Sequence, residues 1–146
     1  MRLDTIISKA ITADTQLMKA VGNRVKSTCF EVSPDKQDNT QLPYIIIIDE
    51  GRMPSSSTKD DGWMPACWEV TASVEVCGRS KNEVDALVDL SMKAIANYVE
   101  QLSDAGQQVP VLNAEYPQTQ GVLWDWTKPC YFDTVRYQCD IDRNYE

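Results

Sequence analysis

The chain has 146 residues, 42% hydrophobic and 25% charged, with a formal net charge of −8 and no histidine. That length suits one domain with a real core, and the acidic balance with scattered Lys and Arg argues against a protein whose task is to grip nucleic acid. Without histidine, serine and cysteine hydrolase triads lose their usual base and metal sites their commonest ligand, so enzyme readings shrink sharply.

The first segment, Asp4 to about Val21, places Ile6, Ile7, Ala10, Ile11, Leu17, Met18 and Val21 at helical spacing, with a break at Thr12-Ala13-Asp14. Asp4 is expected to cap the start and Gly22 to mark the stop. Asp4 also interrupts what would be the apolar stretch of a signal peptide, so the chain is expected to be cytosolic at synthesis. A short strand is expected within Arg24 to Val32, followed by the polar loop SPDKQDNTQ.

The stretch LPYIIIIDEG, residues 42 to 51, then carries the longest apolar run, Tyr44 to Ile48. It is far below the roughly 20 residues that span a bilayer. Its β-branched content predicts a buried central strand that is apolar on both faces, so each face needs cover, from this chain or from a neighbour. Residues 51 to 67, GRMPSSSTKDDGWMPAC, are rich in Gly, Pro, Ser and charge and predict a long surface loop. Within it Trp63, next to Met64 and Pro65, is hard to bury in one small chain, which points to a contact with another. Asp49, Glu50, Asp60 and Asp61 offer oxygen ligands for a hard cation, but solvated loop charge is the simpler account, and no metal site is expected.

Residues 68 to 77 alternate, with Trp68, Val70, Ala72, Val74 and Val76 on one face and Glu69, Thr71, Ser73, Glu75 and Cys77 on the other, which predicts a half-solvated strand. Ser80 and Glu83 then form a capping box ahead of the apolar stripe Val84, Leu87, Val88, Ile95, Val99 and Leu102. A helix is predicted from about 81 to 103, ended near Gly106. GRSKNE ahead of it reads as a capped strand-to-helix turn in preference to an anion site. Three strands follow, in VPVLN, GVLWDW and DTVRYQCDI. Trp124 and Trp126 share a face with Val122 and read first as core residues. The five cysteines, at 29, 67, 77, 130 and 139, have no zinc spacing and read as reduced structural thiols. The order helix, strands, helix, strands predicts an α+β fold with helices on a largely antiparallel sheet.

The succession ITADTQLMKAVGNRV, LPYIIIIDEG, a polar loop and WEVTASVEVCGRSKNEVDALVDLSMKAIANYV resembles the tail-completion or tail-terminator proteins of long-tailed bacteriophages. The residues that carry the resemblance are Ala13, Asp14, Leu17, Gly22, Arg24, Val25, Pro43, Tyr44, Val70, Val74, Val76, Gly78, Ser80 and Glu83. It covers the chain to about Val99. The long loop and the Trp124-Asp125-Trp126 stretch depart from the pattern. The resemblance implies one α+β domain over residues 1–146 that assembles as a ring, usually of six, on the last ring of the tail tube. The ring stops tube growth, meets the head-side connector or stopper protein and lets DNA through without specific binding. It implies a virion structural protein of the tail or neck, assembled in the host cytoplasm, with no catalysis, cofactor or membrane. Acidic side chains would line the channel. The alternatives are a head-closure or connector-adaptor neck protein and, from another class, a small-molecule-binding α+β domain. The candidate protein–protein interface is Arg52, Met53, Trp63, Met64, Trp124 and Trp126.

Overall fold

A computed structural model describes residues 2–26, 42–55 and 67–142. The elements in chain order are α1 (Leu3–Ala13), α2 (Thr15–Val21), β1 (Val25–Lys26), β2 (Tyr44–Pro54), β3 (Cys67–Gly78), α3 (Lys81–Asp104), β4 (Val111–Leu112), β5 (Gln118–Thr119), β6 (Leu123–Asp125) and β7 (Cys130–Asp142). The fold is α+β, as expected. Its mostly antiparallel sheet runs β1-β2-β3-β7-β4, with β5 and β6 also paired to β7, and β1 alone is parallel to its neighbour.

Asp14 divides the N-terminal helical segment where the sequence suggests a break. Its backbone is extended, which ends α1, and its side chain accepts from the Leu17 amide at 2.9 Å to start α2. Asp4 does not cap α1. Arg2 occupies that position without a side-chain bond, and Asp4 sits in the first turn, where its charge suits the helix dipole. Arg24 joins α2 to the sheet, donating to the Pro43 carbonyl at 2.9 Å and to the Ala20 carbonyl at 3.2 Å. Of the strand expected between Arg24 and Val32, Val25–Lys26 is formed, and residues 27–32 lie outside the described residues.

Helix α3 follows its predicted span. Ser80 Oγ accepts from the Glu83 amide at 3.1 Å, and Glu83 returns the bond to the amide of Arg79 at 2.8 Å, one residue ahead of the usual partner. Gly78 makes room for this cap. A Cβ there would stand 2.8 Å from Glu83 Oε1 and 3.0 Å from Val84 Cγ2.

The three helices cover one face of the sheet. Ile45 and Ile47 of β2, Ala72, Val74 and Val76 of β3, and Val135, Tyr137, Cys139 and Ile141 of β7 meet Ile7, Ile11, Leu17, Val21, Val84, Leu87 and Val88 there. Each fully buried Ile, Leu or Val contributes about 1.5–3 kcal/mol.

The other face corrects two expectations. It is not half solvated along β3, because Ser73 and Cys77 are buried there. A second cluster of Leu42, Tyr44, Ile46, Cys77 and Cys130, with Ile48 and Phe132 half-buried beside it, packs on that face. Tyr44 and Ile46 are 4% and 2% exposed, so both sides of the isoleucine run are closed within one chain as far as Ile47, and Ile48 is half-buried. Nor is β2 the central strand. It lies between β1 and β3, and β3 and β7 form the middle of the sheet.

The loop expected from Gly51 to Cys67 is also shorter at both ends. Strand β2 continues through Pro54, and β3 begins at Cys67. The pairing shifts between Asp49 and Arg52, where Gly51 takes φ +92° and donates to Asp49 Oδ1 at 2.9 Å. Beyond this bulge Arg52 pairs with Val70 and Pro54 with Trp68. Residues 56–66 lie outside the described residues.

Past α3, β4, β5 and β6 lie in succession along β7, opposite Asp140 and Cys139, then Arg136 and Val135, then Phe132 to Cys130. They act as one interrupted edge strand. Two of its pieces fall inside expected strands, and β5 was not foreseen because Gln118–Thr119 carries no apolar alternation.

Candidate protein interface

The candidate interface residues fall at opposite ends of the sheet. Trp124 pairs with Tyr131 at one end, whereas Arg52 lies level with Val70 and Cys139 at the other. Eight residues of β7 separate Tyr131 from Cys139, about 26 Å at the rise of a strand. The structure therefore does not bring Arg52 and Met53 together with Trp124 and Trp126. Trp63 and Met64 lie outside the described residues.

At the first end, the β6–β7 turn lifts two indoles into solvent. Trp124 is 38% exposed and Trp126 84%, so the core reading of this pair is overturned, and only Val122 of that face packs against the core. The reason is position, since this is the end of the sheet where α3 only begins. The rings of Trp124 and Trp126 meet edge to face with centroids 5.7 Å apart, and Trp124 meets Tyr131 at 4.8 Å. Asp125 organises the turn. Its Oδ1 accepts from the Thr127 hydroxyl at 2.6 Å, the Thr127 amide at 2.8 Å and the Lys128 amide at 3.3 Å. These bonds, the Thr127 hydroxyl first, hold its carboxyl below the usual range. Lys128 reaches back across the sheet to Glu75 at 3.1 Å. Partial burial opposes its charge, and Glu75 outweighs the burial.

At the second end, Arg52 stacks over Trp68 with its guanidinium carbon 4.6 Å from the ring centroid, and Met53, on the opposite face, is 57% exposed. Arg2 pairs with Asp49 and with Asp4, and Arg136 pairs with Glu50 at 3.3 Å. Asp49 and Glu50 are thus engaged by arginines, and Asp60 and Asp61, their suggested cation-binding partners, lie outside the described residues. Among the described residues, no three His, Cys, Asp or Glu side chains come together as a metal site.

The same end carries a feature the sequence did not single out. An apolar groove of about 470 Å³ opens between α1, the C-terminal half of α3 and the approach to β4, lined by Leu3, Ile6, Ile95, Ala96, Val99 and Leu112 among others. Its one sequence signal is Val111-Leu112, two adjacent apolar residues in a strand, of which one must face outward. Both are exposed.

Cys77, hydrogen-bonded to Cys130 and buried, and Cys139, pushed up to about 12 by burial, remain protonated at neutral pH. No helix among the described residues is long and apolar enough to cross a membrane.

No protein-family model and no curated protein sequence matches the chain. Solved structures do. A chain in the virion of a native gene transfer agent particle matches with a TM-score of 0.46 and 13% identity, over 96% of this chain and 94% of that one. The gp17 protein of bacteriophage SPP1 matches with a TM-score of 0.53 and 18% identity, over 97% of this chain and 90% of its own. At such identity the likeness to gp17 is one of fold, and nearly the whole chain adopts the fold of a bacteriophage protein.

Proposed function

We propose that the chain is a tail-completion protein of a long-tailed bacteriophage, a structural virion subunit that forms a ring on the end of the tail tube. In the family it resembles the ring is usually of six subunits, stops tube growth and presents a surface to the head-side connector. The observation that carries this reading is the fold shared with a bacteriophage protein along nearly the full length of both chains. The sequence elements that resemble tail-completion proteins form its joints and caps. Gly22, Arg24 and Val25 join α2 to the sheet, Pro43 and Tyr44 open β2, and Ser80 and Glu83 cap α3.

Ring assembly agrees with what the surface offers. Large apolar side chains stand exposed at both ends of the sheet, Trp126 at one and Met53 and Val111 at the other. The net charge of −8 gives each subunit an acidic balance, and a ring would place acids beside a DNA channel where they repel the duplex.

The test is to add purified chain to the tube protein while it polymerises and to measure tube ends and lengths by electron microscopy. Shorter tubes closed by a ring are expected. Bare ends with an unchanged length distribution would overturn the reading, and rings that bind a connector preparation but leave tubes uncapped would move the chain to the head-closure role.

A further inference from the structure

We propose that the apolar groove beside α3 receives the Trp126 corner of a second copy of this chain, so that copies join head to tail. The inference rests on the ring reading, and it names the two surfaces that meet.

Trp126 is the most exposed large hydrophobic side chain among the described residues, at 84%, and it stands on a stiff support. Trp124 meets its ring from the side, and Asp125 fixes the turn through three hydrogen bonds. A rigid aromatic held out in water loses little conformational freedom when it binds, which is the character of an interface anchor.

The groove has the complementary character. It is concave and apolar, lined by Leu3 and Ile6 of α1, Ile95, Ala96 and Val99 of α3 and Leu112 of β4, and at about 470 Å³ it falls in the range of binding pockets. Glu100 and Asp104 line its α3 side, at the end of the helix where the backbone dipole is also negative. At the Trp126 corner Lys128, ion-paired with Glu75 at 3.1 Å and in the same turn as Asp125, keeps 32% of its side chain exposed. The groove lining holds these two acids and no Lys or Arg, so its rim can accept the exposed part of Lys128 when the Trp126 ring is seated.

One subunit cannot satisfy itself. Corner and groove lie at opposite ends of the same sheet, about 26 Å apart along β7. A knob and a hole at different places on one chain make a heterologous contact, which propagates and closes into a ring when the rotation between copies allows.

The experiment uses the full chain in three forms: wild type, Trp126→Ala, and Ala96→Arg, which fills the groove from an exposed helical position. Masses are measured in solution and on tube ends. Each variant is expected to keep its melting temperature and to associate at least ~30-fold more weakly than wild type. An equal mixture of the two variants is expected to stop at a dimer, because one intact corner meets one intact groove and nothing extends it. A photo-crosslinking p-benzoylphenylalanine at position 126 should join the neighbour within residues 92–112. Trp126→Ala rings that form normally, or crosslinks outside 92–112, would overturn the contact and leave the ring reading standing. A wild-type chain that never associates, in solution or on tubes, would overturn both.

Discussion

The two ends of the sheet hold side chains outward by different means. At the Trp126 end a short turn is fixed by one carboxylate, and the exposed indole is braced by neighbouring rings. At the Arg52 end the outward residues sit on a strand that has changed register through a bulge, and they are steadied by Arg2–Asp49, Arg136–Glu50 and the Arg52–Trp68 stack. The first device is local and stiff. The second depends on one backbone conformation and several surface pairs, each of small value. A preorganised corner suits the subunit-to-subunit contact, and a rim that tolerates adjustment suits a partner met later in assembly.

The sharpest way to break this comparison is at Gly51. Its φ of +92° is one that a β-branched residue adopts only under strain. Gly51→Val is expected to lower stability by about 1–3 kcal/mol in chemical denaturation. It should also disturb the Arg52 rim while the near-ultraviolet signal of the Trp124–Trp126 pair persists. Gly51→Asn should lose less, since Asn tolerates positive φ. A Val variant within about 0.5 kcal/mol of wild type would mean that the bulge does not hold the rim in place.

What could be read beforehand divides along the same line. Helix α3 was legible to within a residue because its cap, apolar stripe and stop all agree. The helix-facing residues of β3 and the later half of β7 were legible by alternation, since that face is covered along much of its length. Burial on the other face was not, because polar Ser73 and small Cys77 look solvated until Tyr44, Ile46 and Cys130 are folded beside them. The end of β2 was misread because Gly51 and Pro54 are loop signals, whereas here one makes a bulge and the other closes a strand. Of the interface residues, Trp124 and Trp126 alternated correctly with Val122. Periodicity cannot say that the helix layer gives out at their end.

Below the Trp126 corner the sheet carries a buried carboxyl. Asp133 is 3% exposed, and its Oδ1 has no hydrogen-bond partner among the described residues. Burial raises its pKa, with a contribution from Asp85, against the pull of the Thr134, Gln120 and Gly121 amides. A raised folded-state pKa means that the native chain binds this proton more tightly than the unfolded one. The associated stability is present below the ordinary carboxylate range and is lost as pH rises through the folded value. Asp133→Asn keeps the shape and removes the charge, and it is expected to stabilise the chain by about 1 kcal/mol at neutral pH and by less at acid pH. Equal melting temperatures at both pH values would mean that Asp133 carries no such penalty.

The smallest effect is expected at Arg52. Its stack on Trp68 lies at the sheet edge in solvent, where such contacts are worth about 0.5–1 kcal/mol. Arg52→Ala should therefore lower stability by about 0.5 kcal/mol in denaturant titrations. Arg52→Lys should recover part of that, because it keeps a cation over the ring but not the flat face that stacks. The pair also separates support from recognition. If the rim meets the tube, Arg52→Ala will weaken capping by more than its stability loss accounts for, while self-association through the Trp126 corner stays as in wild type. Loss of self-association with capping intact would place the subunit contact at the rim, and the roles of the two ends would exchange.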